Sequence, residues 1–145
     1  MFQIVQIFSE MFNGCRALSN LNPLKNWNVS KGTEFQYMFI WCRLLSDIKS
    51  LKNWNVSNGK RFDSMFFDCD SLEDIKPLEN WNVSNGKDFS EMFKGCYSLS
   101  NINPLKNWNV SNGNNFSKMF SNSRVSNINA LKNWKISKKH FLEIK

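Results

Sequence analysis

Four cysteines, one histidine and a row of Trp-Asn pairs are the residues of this chain best equipped to do chemistry. The cysteines stand at 15, 42, 69 and 96, each 27 residues from the next, and the histidine is His140. An even number of cysteines admits disulfides, and thiolates admit a metal. Zinc-binding cysteines come in close pairs, which these do not. Each cysteine is read as closing a helical turn in the same column, with neighbouring Cα atoms beyond the roughly 7 Å that a disulfide spans. Buried free thiols are the favoured reading, with Ser123 taking the fifth place in the column, against disulfides and metal as the competing ones. The chain has no phosphate-binding loop or nucleophile elbow. A catalytic site needs unlike groups converging once, whereas here like groups recur. The sequence therefore reads as non-enzymatic, with no catalytic, cofactor-binding or metal-ligating residue.

Tryptophans at 27, 54, 81, 108 and 134 each follow an asparagine: Asn26, Asn53, Asn80, Asn107 and Asn133. An exposed Trp-Asn ladder can bind sugar rings, which makes a carbohydrate-binding array one reading. The competing one is a packed aromatic column whose indole N–H finds a carbonyl, beside buried asparagines bonded to backbone turns from unit to unit. The N-V-S triplets at Asn28, Asn55, Asn82 and Asn109, and N-F-S at Asn115, match a glycosylation acceptor, but their regular recurrence fits turn chemistry better. Trp41 lies outside the column and is the expected exposed aromatic.

The elements that position these residues follow from the period. The phrase NWNVSNG at Asn107–Gly113 recurs at 26–32, 53–59 and 80–86, and decays to NWKISK at 133–138. A fixed period of this length marks stacked repeats, each unable to bury its apolar face alone. In the clearest unit, Lys87–Gly113, Phe89, Met92, Phe93 and Cys96 are spaced 3, 1 and 3, which predicts two helical turns. Asp88 and Glu91 would form the N-terminal box and Gly95 the exit. Leu99, Ile102, Leu105, Trp108 and Val110 predict a short strand and an extended arc. Asn112-Gly113 reads as a turn of positive φ. The expected fold is an α/β repeat: a leucine-rich-repeat-like solenoid of about five 26–27-residue units, each a short helix plus a short strand and an extended arc. It forms a single domain over 1–145, with units at about 6–32, 33–59, 60–86, 87–113 and 114–139 and a frayed basic tail at 138–145. The first unit begins midway, so end-to-end self-association is a further expectation.

Charge excludes some partners. The net +7 belongs to the end of the chain: residues 1–105 carry 11 Lys/Arg and 11 Asp/Glu, residues 106–145 carry 8 and 1. A nucleic-acid groove needs basic residues along its length, so that partner is not expected. The cluster Lys132, Lys135, Lys138, Lys139 and Lys145 reads as a solvated terminus, with contact to anionic surfaces as the alternative. No apolar run reaches the length of a membrane span, and MFQIVQIF lacks the form of a secretory leader.

The succession Met-Phe-x-x-Cys-x-x-Leu-x-x-Ile followed by Trp-Asn-Val-Ser-Asn resembles the BspA-like leucine-rich repeat proteins. More narrowly, it resembles the branch of uncharacterised surface-protein repeats with a W-[DN]-[TV]-S-N phrase between Met-Phe-x-x-Cys segments. The resemblance covers about Phe8 to Ser137. It implies a solenoid at a cell surface with a role in adhesion or protein interaction, and no shared enzymatic activity. A protein partner is thus the leading expectation. Specificity belongs where the units differ, on a face carrying Asp47, Lys49, Asp74, Lys76, Asn101 and Asn103, with Trp41 as an additional contact.

Overall fold

A computed structural model describes residues 6–145; the first five residues of the leader-like start lie outside it. Among the described residues the one α-helix is α1, Lys138–Glu143. The one sheet pairs β1, Gln6–Ile7, in parallel with β2, Gly32–Glu34. Five 3-10 turns, at Asn22–Leu24, Lys49–Asn53, Lys76–Leu78, Asn103–Leu105 and Asn129–Leu131, complete the regular structure. The remainder is turn and coil. The helix-plus-strand, leucine-rich-repeat-like solenoid expected from the sequence is therefore not the fold.

The reason is visible in the backbone of Phe89–Cys96. All four apolar residues of the 3, 1, 3 pattern are fully buried. Glu91 and Gly95, however, take positive φ values of 55° and 72°, which no α-helix contains. The amides of Met92, Lys94 and Cys96 donate to the carbonyls of Phe89, Glu91 and Phe93, three residues back. The amides between them, Glu91, Phe93 and Gly95, donate one period onward to the carbonyls of Ser117, Met119 and Ser121, each at 2.9 Å. The same alternation runs through Phe35–Cys42 and Phe62–Cys69. Successive turns thus give the side chains a helical rhythm without a helix.

The strand expected near Leu99–Ile102 is also missing. That column holds one parallel bridge, Asn20 with Asp47. Parallel pairing runs instead through Glu34, Arg61, Asp88 and Asn115, where a helix start was expected. There Asp88 Oδ1 accepts from the amide and hydroxyl of Ser90, not from a helical N-terminus.

Like side chains lie against each other one period apart. Phe8, Phe35, Phe62, Phe89 and Phe116 form one ring column, and Phe12, Phe39, Phe66, Phe93 and Phe120 a second. Centroids in both are 5.5–5.7 Å apart, with planes within 14°. Each buried ring is worth about 1.5–3 kcal/mol of burial and each aromatic pair about 0.5–1.5 kcal/mol more. Trp54, Trp81, Trp108 and Trp134 complete the core, and each indole N–H donates to the Leu carbonyl of the preceding period at 2.8–3.2 Å. The same four carbonyls, of Leu24, Leu51, Leu78 and Leu105, also accept the backbone amide of their own period's tryptophan. Both lone pairs are used.

Two expectations about asparagine and glycine change. Asn26, Asn53, Asn80, Asn107 and Asn133 are exposed, not buried. The unit-to-unit amide ladder is made by Asn58, Asn85 and Asn112, whose Nδ2 groups donate to the carbonyls of Ser30, Ser57 and Ser84 at 2.7 Å. Gly113 and its counterparts do not have positive φ. They are glycine because of crowding: a Cβ on Gly86 would lie 2.3 Å from Phe89 Cζ and 2.9 Å from the Val83 carbonyl. The end of the chain is not frayed either. In α1 the amide of His140 donates to the Ser137 hydroxyl, and Ile144, just beyond it, is fully buried.

Gly86→Ala should lower stability by about 1–3 kcal/mol, because the Phe89 ring cannot retreat from its column. Urea unfolding measures it, and an unchanged midpoint would show that the ring column has slack.

Candidate interaction face

The expected contact residues sit on the row of 3-10 turns. Each turn is prepared by the Asx residue two positions before it. Asp47 Oδ1 accepts from the Lys49 amide at 2.9 Å, Asp74 Oδ1 from Lys76 at 2.8 Å, and Asn101 Oδ1 from Asn103 at 3.0 Å. Asn20 and Asn127 do the same for Asn22 and Asn129. A short polar side chain bonding to its own backbone two residues on is a turn former in its own right. Proline follows at Pro23, Pro77 and Pro104, where its fixed φ suits the first turn. The turn ends on a buried leucine whose carbonyl carries the tryptophan bonds. The Asx, Leu and Trp positions are therefore structural.

Between the turns the surface is grooved. A depression of about 290 Å3 is lined by Glu73, Asp74, Lys76, Glu79, Asn101, Asn103, Pro104 and Lys106. Beside it, one of about 300 Å3 is lined by Lys49, Lys52, Asp74, Lys76, Pro77, Glu79 and Asn80. A third, of about 180 Å3, lies against Ser46, Asp47, Ile48, Lys49, Asp74 and Pro77. Asp47, Lys49, Asp74, Lys76, Asn101 and Asn103 thus line one run of depressions. Lys49 and Lys76 are exposed, with loose pairings to Asp47 at 3.7 Å and Glu79 at 3.5 Å, each of small energetic weight. Lys52, Glu79 and Lys106 were missed by the sequence reading. Their signal was present, since they share the column before Asn-Trp and differ in charge there.

Trp41 is exposed, at 44%, as expected, but it does not line these depressions. It occupies the left-handed position, φ 62°, that is glycine at 14 and 95. A second polar cluster follows the parallel bridges. Buried Asp63 takes a two-pronged bond from Arg61 at 3.0 and 2.8 Å, which raises the guanidinium pKa. Burial, and then the Asp63 charge, push the Tyr37 phenol up.

The cysteines do no visible chemistry. All four are free, and Cys42, Cys69 and Cys96 are buried. Their Sγ–H groups donate to the carbonyls of Phe12, Phe39 and Phe66 at 3.1–3.2 Å. Separation is not what keeps them unpaired, since the neighbouring Phe columns repeat at about 5.5 Å; each thiol is occupied by a carbonyl. Burial pushes the Cys42 thiol up to about 12 and raises Cys69 and Cys96 as well. No three of His, Cys, Asp or Glu converge to hold a metal ion among the described residues. No helix among them is long and apolar enough to cross a membrane.

A turn-built periodic chain, with a rigid frame under a polar groove, is the class of protein these features define. Residues 6–134 match the family described as "Mycoplasma protein of unknown function, DUF285", and the chain belongs to it. No curated protein matches the chain.

In the native protein at neutral pH, iodoacetamide should modify Cys15 alone, with the other three reacting only on unfolding. The buried thiols are neutral in the fold, with pKa values above the ordinary 9.0 of the unfolded chain. Their contribution to stability is therefore whole below about pH 9 and fades as pH climbs from there towards about 12. Mass spectrometry of the labelled protein checks the first point, and rapid labelling of Cys69 or Cys96 would refute it.

Proposed function

We propose that the protein is a non-enzymatic protein-interaction or adhesion module, and that the run of depressions from Lys49 to Lys106 is its contact face. The carrying observation is a division of labour within each period. Asx, Ile, Leu and Trp build the same frame every time, while the residues set on it change: Lys49 and Lys52, then Lys76 and Glu79, then Asn103 and Lys106. An exposed, mixed-charge trough on a rigid frame suits an extended peptide segment carrying both signs of charge. The resemblance to BspA-like repeats supports the adhesion reading and a cell-surface setting. A carbohydrate-binding array is less well supported. The rings of Trp54, Trp81, Trp108 and Trp134 are buried and their N–H groups engaged, which leaves Trp27 and Trp41 as the open indoles.

Changing Asp47 or Asp74 would confound a test, because both hold turns. Lys49→Glu, Lys76→Glu, Glu79→Lys and Lys106→Glu, combined, reverse the charge of the trough and leave the frame alone. Partners captured from host extract by the unaltered protein should be lost by this variant, while thermal stability changes little. Trp41→Ser, outside the trough, should keep them. Equal capture by the four-residue variant would overturn the assignment.

A further inference from the structure

The hydrogen bonds between periods have a direction. Amides of one period donate to carbonyls of the next: Phe8 to Glu34, Glu10 to Gln36, Phe12 to Met38 and Gly14 to Ile40, and so on along the chain. The chain therefore has a donor end and an acceptor end. At the donor end, α1 stands where another period would. The Lys118 amide donates to the Glu143 carbonyl at 2.7 Å and that of Phe120 to Ile144 at 3.1 Å. Ile144 is buried, Phe141 half-buried, and the His140 ring lies 5.7 Å from Phe116. At the acceptor end, the carbonyls of Ile7, Ser9, Met11 and Asn13 receive no backbone amide among the described residues. The side chains there are open: Met11 is 45% and Trp27 37% exposed, and Cys15 is exposed, whereas Met38, Trp54 and Cys42 are buried.

We propose that the acceptor end is a docking surface for the donor end of a second copy of this chain, and that α1 is the removable cap that keeps the donor end covered. The two ends are complementary because the junction between internal periods already joins them. The amides of Phe116, Lys118, Phe120 and Asn122 would meet the carbonyls of Ile7, Ser9, Met11 and Asn13 of the second copy. Its Trp27 indole would reach the Leu131 carbonyl, and its Phe8 and Phe12 rings would extend the two columns. The cap is the weaker occupant. It satisfies two of those amides where an internal junction satisfies four, and a six-residue helix has little stability of its own. The family match also stops at residue 134, before α1 begins. Such a contact is heterologous and does not close, so it builds linear chains of molecules.

The test uses the full chain carrying Ile144→Asp, which places a charge in a buried apolar site and releases α1. Phe141→Ser, at a half-buried position, is made in parallel, so that loss of the fold in the first variant does not stand in for an answer. Light scattering should show the mass of the folded variant climbing over several multiples of 17.0 kDa as protein is concentrated, with the unaltered chain well behind. Cys15 labelling should slow as the mass climbs. Adding Met11→Lys at the exposed acceptor end should return the variant to a single copy with its circular dichroism unchanged. A folded, α1-released variant that stays at 17.0 kDa overturns the proposal. So does association that Met11→Lys leaves intact, or that the unaltered chain shows equally.

Discussion

Alternate amides along each Phe-x-x-Met-Phe-x-x-Cys segment can be satisfied only by the neighbouring period. The left-handed residues, Tyr37, Ser64, Glu91 and Lys118 among them, turn those N–H groups out of reach of any local carbonyl. A buried amide without a partner costs about 1–3 kcal/mol. Each period is therefore unstable alone and must present its next neighbour with carbonyls at matching spacing. That requirement fixes the length at 27 residues and makes the same side chains recur, since each position packs against its own counterpart. The phenylalanine columns, the thiol-to-carbonyl bonds and the indole-to-carbonyl bonds are consequences of that registration, not separate devices.

The same constraint separates frame from surface. A side chain that points inward meets copies of itself and has little freedom to vary. The lysines, glutamate and asparagines beside the 3-10 turns meet solvent and have much. Between the two stand the Asx residues, Asp47, Asp74 and Asn101. They are exposed enough to resemble contact residues, yet each spends one oxygen on its own turn. A charge there serves the fold first.

Much of the interior was legible in the sequence. Period, column membership and the burial of Phe89, Met92, Phe93, Cys96, Leu99 and Trp108 all follow from spacing, because inward-facing residues must be apolar whatever the backbone does. The backbone itself was not legible. A spacing of 3, 1, 3 is the signature of a helix only where intervening residues keep negative φ, and nothing in the identity of Glu91 or Tyr37 announces a positive one. Gly86 was misread for a related reason: glycine signals either freedom of φ or lack of room, and only the Phe89 ring distinguishes them. Of the candidate face, the Asx and Lys residues were placed correctly on one surface. Trp41 was correctly exposed but belongs to another surface. The contributions of Lys52, Glu79 and Lys106 lay hidden in a column that looked like mere linker.

The account rests on registration between periods, and the most direct measurement removes one. Deleting residues 60–86 joins Gly59 to Lys87, which restores the Gly-Lys junction found at Gly86-Lys87. The shortened chain should fold, unfold cooperatively in urea with a smaller m-value in proportion to the lost surface, and keep native tryptophan emission. Deleting only residues 60–73 throws every later column out of register and should leave the chain unfolded. If the two deletions behave alike, or if the 27-residue excision alone destroys the fold, the periods do not hold one another up in the way described.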